Sequence, residues 1–274
     1  FAMVEMGVDR IHHGFWRFVD PEHPEYRAGN PFEDRVLAYF RELDAELGEL
    51  LSLLPAEATV LVLSDHGARA LHGCFCFNDW LIERGYLVLH ERPKAATPLT
   101  SSMIDWRRTR AWGEGGYYGR LFLNVRGREP EGAVAPGDVE RLRAELAAEI
   151  GAIRGPDERP LGCEALRPEE IYRATRGVPP DLMVYFGDLR WRAAGSVGHP
   201  RLHARDNDIG PDDANHDWDG MLLVREGSAD LGGRRIAGAH LIDMARTILD
   251  RAGVAAADHL GGRALASAPI LGAA

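Results

Sequence analysis

The stretch Thr59-Val-Leu-Val-Leu-Ser-Asp-His-Gly67 decides the fold class. Five β-branched or leucine residues in a row are typical of a strand that is buried on both faces. The run ends in polar residues, among them Asp65 and His66, where the chain leaves the strand. Open α/β sheets place their functional residues at the carboxyl ends of strands. The stretch therefore predicts an α/β protein with functional side chains at residues 65 and 66.

The segment before this strand extends the pattern. Residues 1–8 are mostly apolar and predict another buried strand, which leads into Asp9. Residues 32–54 carry apolar side chains three and four positions apart and predict an amphipathic helix that ends at Pro55. Strand, helix and strand in this order favour a sheet whose strands are mostly parallel.

The remaining elements follow from local patterns. We predict a short helix, a strand, a hairpin, a helix, two strands and a closing helix, at residues 78–83, 86–89, 110–125, 139–153, 181–186, 220–224 and 239–252. The sequence contains no internal repeat and no low-complexity tract. Residues 1–274 are therefore expected to form one domain, with room for a small insertion within 90–200.

Composition narrows the classes of function. The chain of 274 residues is 45% hydrophobic and 27% charged, as in ordinary globular proteins. A formal net charge of −10 argues against a nucleic-acid polymer as partner. It does not argue against a small phosphorylated substrate, because bound divalent metals can reverse the local field. The sequence has no run of 18 apolar residues, so no membrane association is expected.

The cysteines give no metal or disulfide pattern. Cys74 and Cys76 are too close in sequence for an easy disulfide, and with Cys163 the count is odd. We interpret all three as buried thiols in a reducing compartment and expect a cytoplasmic protein.

Five residues are candidate metal ligands. Asp9 and His13 are four positions apart, which puts them on one face if the segment is helical. Asp65 and His66 can reach one ion, or bridge two, from a loop at a strand end, and His216 comes from a third region. Each motif alone is weak, but together they form a set of carboxylate and imidazole ligands. Such a set fits Zn²⁺ best, with Mn²⁺ as the alternative.

An acidic segment surrounds His216, with aspartates at 206, 208, 212, 213, 217 and 219. We interpret it as a solvated loop. Asp217 or Asp219 is a candidate to orient His216 from behind. A second unusual segment, Trp112–Tyr118, is rich in aromatic residues and glycine. A hairpin with packed aromatic side chains is favoured there over a surface that stacks a base.

Three motifs carry a family resemblance. They are Met6-Gly-Val-Asp-Arg-Ile-His-His-Gly-Phe-Trp16, Val62-Leu-Ser-Asp-His-Gly67 and Asn215-His-Asp-Trp-Asp-Gly220. In this order they resemble the alkaline phosphatase superfamily, and within it the type I phosphodiesterase/nucleotide pyrophosphatase branch. The resemblance is strongest to the bacterial predicted phosphohydrolases and phosphomutases. Weaker similarities extend it over nearly the whole chain.

The resemblance implies a fold and a ligand set. The fold would be a three-layer α/β/α sandwich with a mostly parallel central sheet. Asp9, His13 and His216 would bind one divalent ion, and Asp65 and His66 would bind a second. The nucleophilic Ser or Thr and one further Asp would lie upstream of Phe1. The chain would then be the C-terminal portion of a catalytic domain whose N-terminal part is missing.

The implied chemistry is phosphoryl or nucleotidyl transfer to the hydroxyl and then hydrolysis. Two ions about 4 Å apart can stabilise the attacking and leaving oxygens of such a reaction. A phosphomutase with the same ligands is an alternative, and so is a metal-binding domain without catalysis. The sequence does not distinguish a monoester, a diester or a pyrophosphate as substrate, and no pattern specifies an oligomer.

Overall fold

The computed structural model describes residues 1–205, 212–227, 233 and 235–265. Within these ranges the helices are α1 (Gly7–Phe15), α2 (Glu33–Ser52), α3 (Phe77–Glu83), α4 (Val139–Gly151), α5 (Pro168–Ile171) and α6 (Asp243–Arg251). The strands are β1 (Thr59–Leu63), β2 (Gly67–Ala70), β3 (Gly73–Cys76), β4 (Thr97–Pro98), β5 (Ala111–Glu114), β6 (Gly119–Leu123), β7 (Glu164–Leu166), β8 (Leu182–Tyr185), β9 (Trp191–Ala194), β10 (Ser196–Val197), β11 (His203–Ala204), β12 (Ala214–Asp217) and β13 (Leu222–Glu226).

The chain divides into two compact units. Unit 1 consists of Phe1–Ala38 and Ala68–Asp217, and unit 2 consists of Tyr39–Gly67 and Trp218–Ala274. Both contain helices and strands, so the protein is of the mixed α/β class. No helix within the described ranges combines the length and the apolar composition that a membrane crossing requires.

Unit 1 is built on a four-stranded antiparallel sheet in the order β5-β6-β8-β7. Alternate residues of β6 are buried, as expected for a strand with one face on the core. Helix α4 turns Leu142, Leu146 and Ile150 inward, and their four-residue spacing places them on one face. Leu146 and Ile150 are fully buried, as are Leu121 and Leu182 of the sheet. These side chains form one continuous hydrophobic core.

A second sheet of unit 1, in the order β11-β3-β9, carries residues toward the candidate site. Strands β3 and β9 run parallel, with Cys74 opposite Arg192. All four residues of β3 are buried. Phe75 of this strand stacks on Phe186 at a centroid distance of 4.9 Å, which links the two sheets. Strand β9 is therefore fixed against the core of the unit.

Unit 2 contains a two-stranded antiparallel sheet and helix α6. Strands β1 and β13 pair with Leu61 opposite Val224. Both strands are only partly buried, and Leu223 remains 58% exposed. Helix α6 buries Met244 and Thr247.

Several sequence predictions are confirmed. The strand at Thr59–Leu63 has the predicted bounds, and the helix predicted for residues 32–54 is α2. The hairpin predicted within 110–125 is formed by β5 and β6. The short helix, the helix at 139–153, the strands near 181 and 220 and the closing helix are also present, as α3, α4, β8, β13 and α6. These elements had either strong periodicity or clear boundary residues.

The prediction of a strand at residues 1–8 is wrong. Residues 1–6 form no regular element and are exposed, and Gly7 begins α1. A short apolar run does not distinguish a strand from other structures by itself. A strand also requires a hydrogen-bonded neighbour, and none of the described strands pairs with this segment. The strand predicted at 86–89 likewise reduces to a single bridge between Leu89 and Ile104.

The prediction of a mostly parallel central sheet is also corrected. The described strands form several small sheets whose pairings are mainly antiparallel, although β3 and β9 pair in parallel. Strand β1 was expected to be buried on both faces, but its end residues are exposed and its partner β13 is antiparallel. An apolar run shows that a segment can be buried, but it does not specify the direction of its partner.

Candidate metal centre

Asp9 and His13 lie one turn apart on α1. The prediction that their spacing gives a common helical face is confirmed, because His13 Nε2 is 3.3 Å from Asp9 Oδ1. Asp9 is in the first turn of the helix, where the helix dipole stabilises a carboxylate. The Asp9 and His13 side chains are 37% and 20% exposed, so both can still meet a ligand.

His216 approaches the same carboxylate from strand β12. Its Nε2 atom is 3.8 Å from Asp9 Oδ1, and its ring centroid is 5.4 Å from that of His13. The backbone N–H of Asp213 donates to the carbonyl oxygen of His13 at 2.8 Å, which ties the start of β12 to α1. Two imidazoles from distant parts of the sequence therefore face one carboxylate oxygen.

Asp212 lies behind His13. Its Oδ1 atom is 2.7 Å from His13 Nδ1, and its other oxygen pairs with Arg192. Hydrogen bonding to Asp212 raises the pKa of His13, while burial of the ring opposes this shift and the charge of Asp9 adds to it. When His13 is neutral, a proton on Nδ1 is held by Asp212 and the Nε2 lone pair faces Asp9.

Tyr117 contacts both histidines from the turn between β5 and β6. Its ring centroid is 3.9 Å from that of His216, and its hydroxyl is 3.4 Å from His13 Nε2. Burial raises the pKa of Tyr117, so the hydroxyl is protonated near neutral pH. The guanidinium carbon of Arg192 lies 4.5 Å from the centre of the same ring. The aromatic segment that the sequence predicted as a packed hairpin thus reaches the candidate site.

The other two predicted ligands belong to unit 2. Asp65 and His66 lie in the bend between β1 and β2, as the sequence predicted for a strand end. Asp65 is 78% exposed, and its Oδ1 atom is 3.6 Å from His66 Nε2. His66 Nδ1 is 2.9 Å from the carbonyl oxygen of Gly67. The bend is fixed to β13, because the backbone N–H of Met221 donates to Ser64 Oγ at 2.7 Å.

Asp9, His13 and His216 of unit 1 are donors of the types that divalent cations bind. Two donors of a tetrahedral zinc ion, each about 2.0–2.1 Å from the metal, are roughly 3.4 Å apart. The separations of 3.3 and 3.8 Å between Asp9 and the two histidines are close to this value. A metal-bound imidazole typically donates its other N–H to a carboxylate, and Asp212 provides that group for His13. The Asp9–His13 and Asp9–His216 pairs therefore have donor separations that are compatible with a bound divalent cation.

A second group of ligand-type residues has a different character. Cys76, Asp79 and His199 bring a sulfur, a carboxylate and an imidazole within 4.8 Å of one another. The Asp79 carboxylate accepts hydrogen bonds from the backbone N–H groups of Gly198 and His199 and from Arg92. His199 Nε2 is 2.7 Å from Ser196 Oγ. These bonds fasten the loop after β10 to α3, which is a structural role.

The comparison with known families decides the classification. The sequence profile of the type I phosphodiesterase / nucleotide pyrophosphatase family matches residues 1–219. The chain belongs to this family. The family is a member of the alkaline phosphatase superfamily, and the match includes all five predicted ligands. No curated protein and no solved structure matches the chain.

Membership in the type I phosphodiesterase family supports a phosphoester hydrolase, and proteins of this family are generally metal-dependent. The expected fold of the superfamily is the alkaline phosphatase-like α/β fold.

Sequence reasoning missed the residues behind the candidate ligands. Asp212 and Asp213 were interpreted as part of a solvated acidic loop, but Asp212 is 9% exposed and Asp213 is 1% exposed. Asp206 and Asp208 of that predicted loop lie outside the described residues. Asp217, a predicted support for His216, pairs with Arg69 at 2.8 Å. A buried arginine needs an acidic partner, which is the kind of signal that could have pointed to Asp212. The sequence around Arg192 does not show which acidic residue that partner is.

Proposed function

We propose that this chain contributes to a metal-dependent phosphoester hydrolase of the phosphodiesterase or nucleotide pyrophosphatase type. Asp9, His13 and His216 bind the first divalent ion, and Asp65 and His66 are ligands of a second. The ions are Zn²⁺, with Mn²⁺ as the alternative. The substrate is a small phosphorylated molecule, and the nucleophilic hydroxyl is supplied by a Ser or Thr outside this chain.

The observation that most supports the proposal is the convergence of Asp9, His13 and His216 in unit 1. His13 and His216 come from distant segments of the chain, yet both approach the Asp9 carboxylate, an arrangement that a bound cation would stabilise. The raised pKa of His13 adds to this, since perturbed groups concentrate at functional sites.

Each residue has a definite role in this proposal. A divalent ion bound there would stabilise charge on a phosphoryl oxygen and lower the pKa of a bound hydroxyl or water. Asp9 supplies the anionic ligand at the start of α1. His13 presents its Nε2 lone pair because Asp212 holds the Nδ1 proton. The ring of Tyr117 covers one side of His216 and limits the access of water there.

Metal titration of the full chain tests the proposal. Isothermal titration calorimetry with zinc chloride, and separately with manganese chloride, is carried out on the dialysed wild type and on His13→Ala and His216→Ala. We expect the wild type to bind the first ion tightly at Asp9, His13 and His216. Each variant should lose more metal affinity than the roughly 100-fold that is lost when a hydrogen-bonding partner of a ligand is removed. His12→Ala is the matched control, because His12 lies on the same helix and packs against Trp16.

Activity is measured in a second arm. Hydrolysis of bis(p-nitrophenyl) phosphate and of p-nitrophenyl phosphate is followed in a protein that includes any residues encoded before Phe1. The diester should be hydrolysed in a metal-dependent way, and His216→Ala should abolish turnover while His12→Ala retains it. Equal metal affinity in the wild type, His13→Ala and His216→Ala would overturn the proposal.

A further inference from the structure

We propose that Arg192 is a positioning residue that holds both candidate metal-binding histidines, His13 through Asp212 and His216 through Tyr117. The inference rests on the proposed metal centre of unit 1 and adds its supporting residues. Arg192 touches neither histidine in the contacts described above; it acts through one charged and one aromatic intermediary.

The first route is a buried chain of charges. Arg192 and Asp212 are 5% and 9% exposed, and the guanidinium pairs directly with one carboxylate oxygen. The other oxygen of Asp212 is 2.7 Å from His13 Nδ1. Arg192 therefore fixes the direction of the Asp212 carboxylate, and Asp212 fixes the tautomer and the ring plane of His13. A solvated aspartate would rotate freely and give His13 no such restraint.

The second route is aromatic. The planar guanidinium of Arg192 lies 4.5 Å from the centre of the Tyr117 ring, at a typical cation–π distance. The same ring contacts His216 with a centroid distance of 3.9 Å and an interplanar angle of 30°. Arg192 thereby limits the movement of Tyr117, and Tyr117 limits the rotation of His216.

The backbone around Arg192 is rigid enough for this role. The neighbouring Ala193 exchanges two backbone hydrogen bonds with Gly116, at 2.9 and 3.0 Å, so the turn that carries Tyr117 is fixed to β9. Gly115 permits the close approach, since a Cβ atom there would lie 2.4 Å from the backbone nitrogen of Gly195. Asn215, which is fully buried, donates from Nδ2 to the carbonyl oxygen of Tyr117 at 3.2 Å.

An alternative role is purely structural, in which the Arg192–Asp212 pair stabilises the fold only. Asp213 provides the matched control for that role. It is the next residue, it is buried as well, and it also pairs with an arginine, Arg17. Its carboxylate contacts no candidate ligand in the interactions described here. Asp213→Asn should therefore lower the melting temperature without changing the affinity for zinc.

The experiment compares variants of the full chain that each interrupt one of the two routes from Arg192 to the histidines. Zinc affinity is measured by calorimetry and thermal stability by circular dichroism for Asp212→Asn, Tyr117→Leu and Tyr117→Phe. We expect Asp212→Asn and Tyr117→Leu each to weaken zinc binding by roughly 10–100-fold, as is typical when a residue that orients a metal ligand is replaced. Tyr117→Phe keeps the ring and should stay within about threefold of the wild type. Arg192→Gln should reproduce the loss seen in the Asp212→Asn/Tyr117→Leu double variant.

A second readout does not involve metal. The ring nitrogens of ¹⁵N-labelled histidines are observed by long-range ¹H–¹⁵N correlation in the metal-free chain, with His13 assigned from a His13→Gln variant. We expect the neutral His13 ring to carry its proton on Nδ1 in the wild type and in Asp213→Asn. In Asp212→Asn the ring should become a mixture of both tautomers.

The outcomes separate this inference from the proposed function. Zinc binding that depends on His13 and His216 but is unchanged in Asp212→Asn and Tyr117→Leu would overturn the inference and leave the proposed function intact. Absence of zinc binding in the wild type would overturn the proposed function, and the tautomer of His13 would then decide the Asp212 route alone. Equal losses of affinity in Asp212→Asn and Asp213→Asn would assign both pairs to folding and contradict the inference.

Discussion

The two units differ in how they support their candidate ligands. In unit 1 the residues behind the ligands are buried, with Arg192 at 5% and Asp212 at 9% exposure. In unit 2, Asp65 is 78% exposed at the end of a partly buried two-stranded sheet. Metal-binding histidines typically have partners that fix their orientation, and buried residues take that place behind the candidate ligands of unit 1.

The two units also differ in the size of their hydrophobic cores. Unit 1 contains a continuous core of buried side chains drawn from two sheets and two helices. Among the described residues of unit 2, the large apolar side chain that is buried is Met244. A two-stranded sheet without a large core is only marginally stable by itself. The candidate ligands on α1 and β12 thus belong to unit 1, which is the better packed of the two units.

Core substitutions should have the largest effect and test this contrast. Leu182 is fully buried in β8, so Leu182→Ala should lower the free energy of unfolding by about 2–5 kcal/mol. Leu223 is 58% exposed in β13, so Leu223→Ala should change it by only about 0.5 kcal/mol. Urea denaturation, followed by tryptophan fluorescence and by circular dichroism, measures both. Similar losses in the two variants would remove the distinction between the units.

Acid sensitivity should give a smaller effect that also belongs to unit 1. Burial lowers the pKa values of His23, His72 and His203, all in that unit. The unfolded chain then binds more protons below its histidine pKa of about 6.5. The contribution of these three histidines to the free energy of unfolding is therefore complete above about pH 6.5. It decreases as the pH falls through their lowered pKa values in the folded state. The effect of His13 on the pH dependence of stability is opposite. Its pKa is raised in the folded state, so its contribution to stability is lost as the pH rises.

His203→Phe sharpens this test. His203 makes edge contacts with Phe75 and Trp191, which a phenylalanine ring can retain without a titrating group. The variant should lose less stability than the wild type between pH 8 and pH 5, as measured by the urea midpoint at each pH. An identical pH dependence in both proteins would show that the buried histidine does not cause the acid sensitivity.

The sequence predicted those features that depend on local patterns. The apolar spacing of residues 32–54 and the run at Thr59–Leu63 were sufficient for α2 and β1. The spacing of Asp9 and His13 was sufficient for their common face on α1. In each case the signal was contained in one short segment, where helical or strand periodicity applies directly.

The features that the sequence did not predict depend on contacts between distant segments. Asp212 resembled a solvated acidic residue because its buried partner Arg192 is in another strand. The antiparallel pairing of β1 with β13 depends on long-range packing that an apolar run does not encode. The apolar character of residues 1–8 predicts a strand, but none of the described strands pairs with this segment. The candidate ligands were therefore visible in the sequence, while the buried residues behind them were not.

The most direct test of the account is a zinc-edge anomalous difference map from crystals of the full chain grown with zinc chloride. The account predicts a peak about 2.0–2.2 Å from an Asp9 carboxylate oxygen and from the Nε2 atoms of His13 and His216. It also predicts that Asp212 contacts His13 Nδ1 in the same crystal. A map with zinc at Cys76, Asp79 and His199 but none at Asp9, His13 and His216 would contradict the central claim.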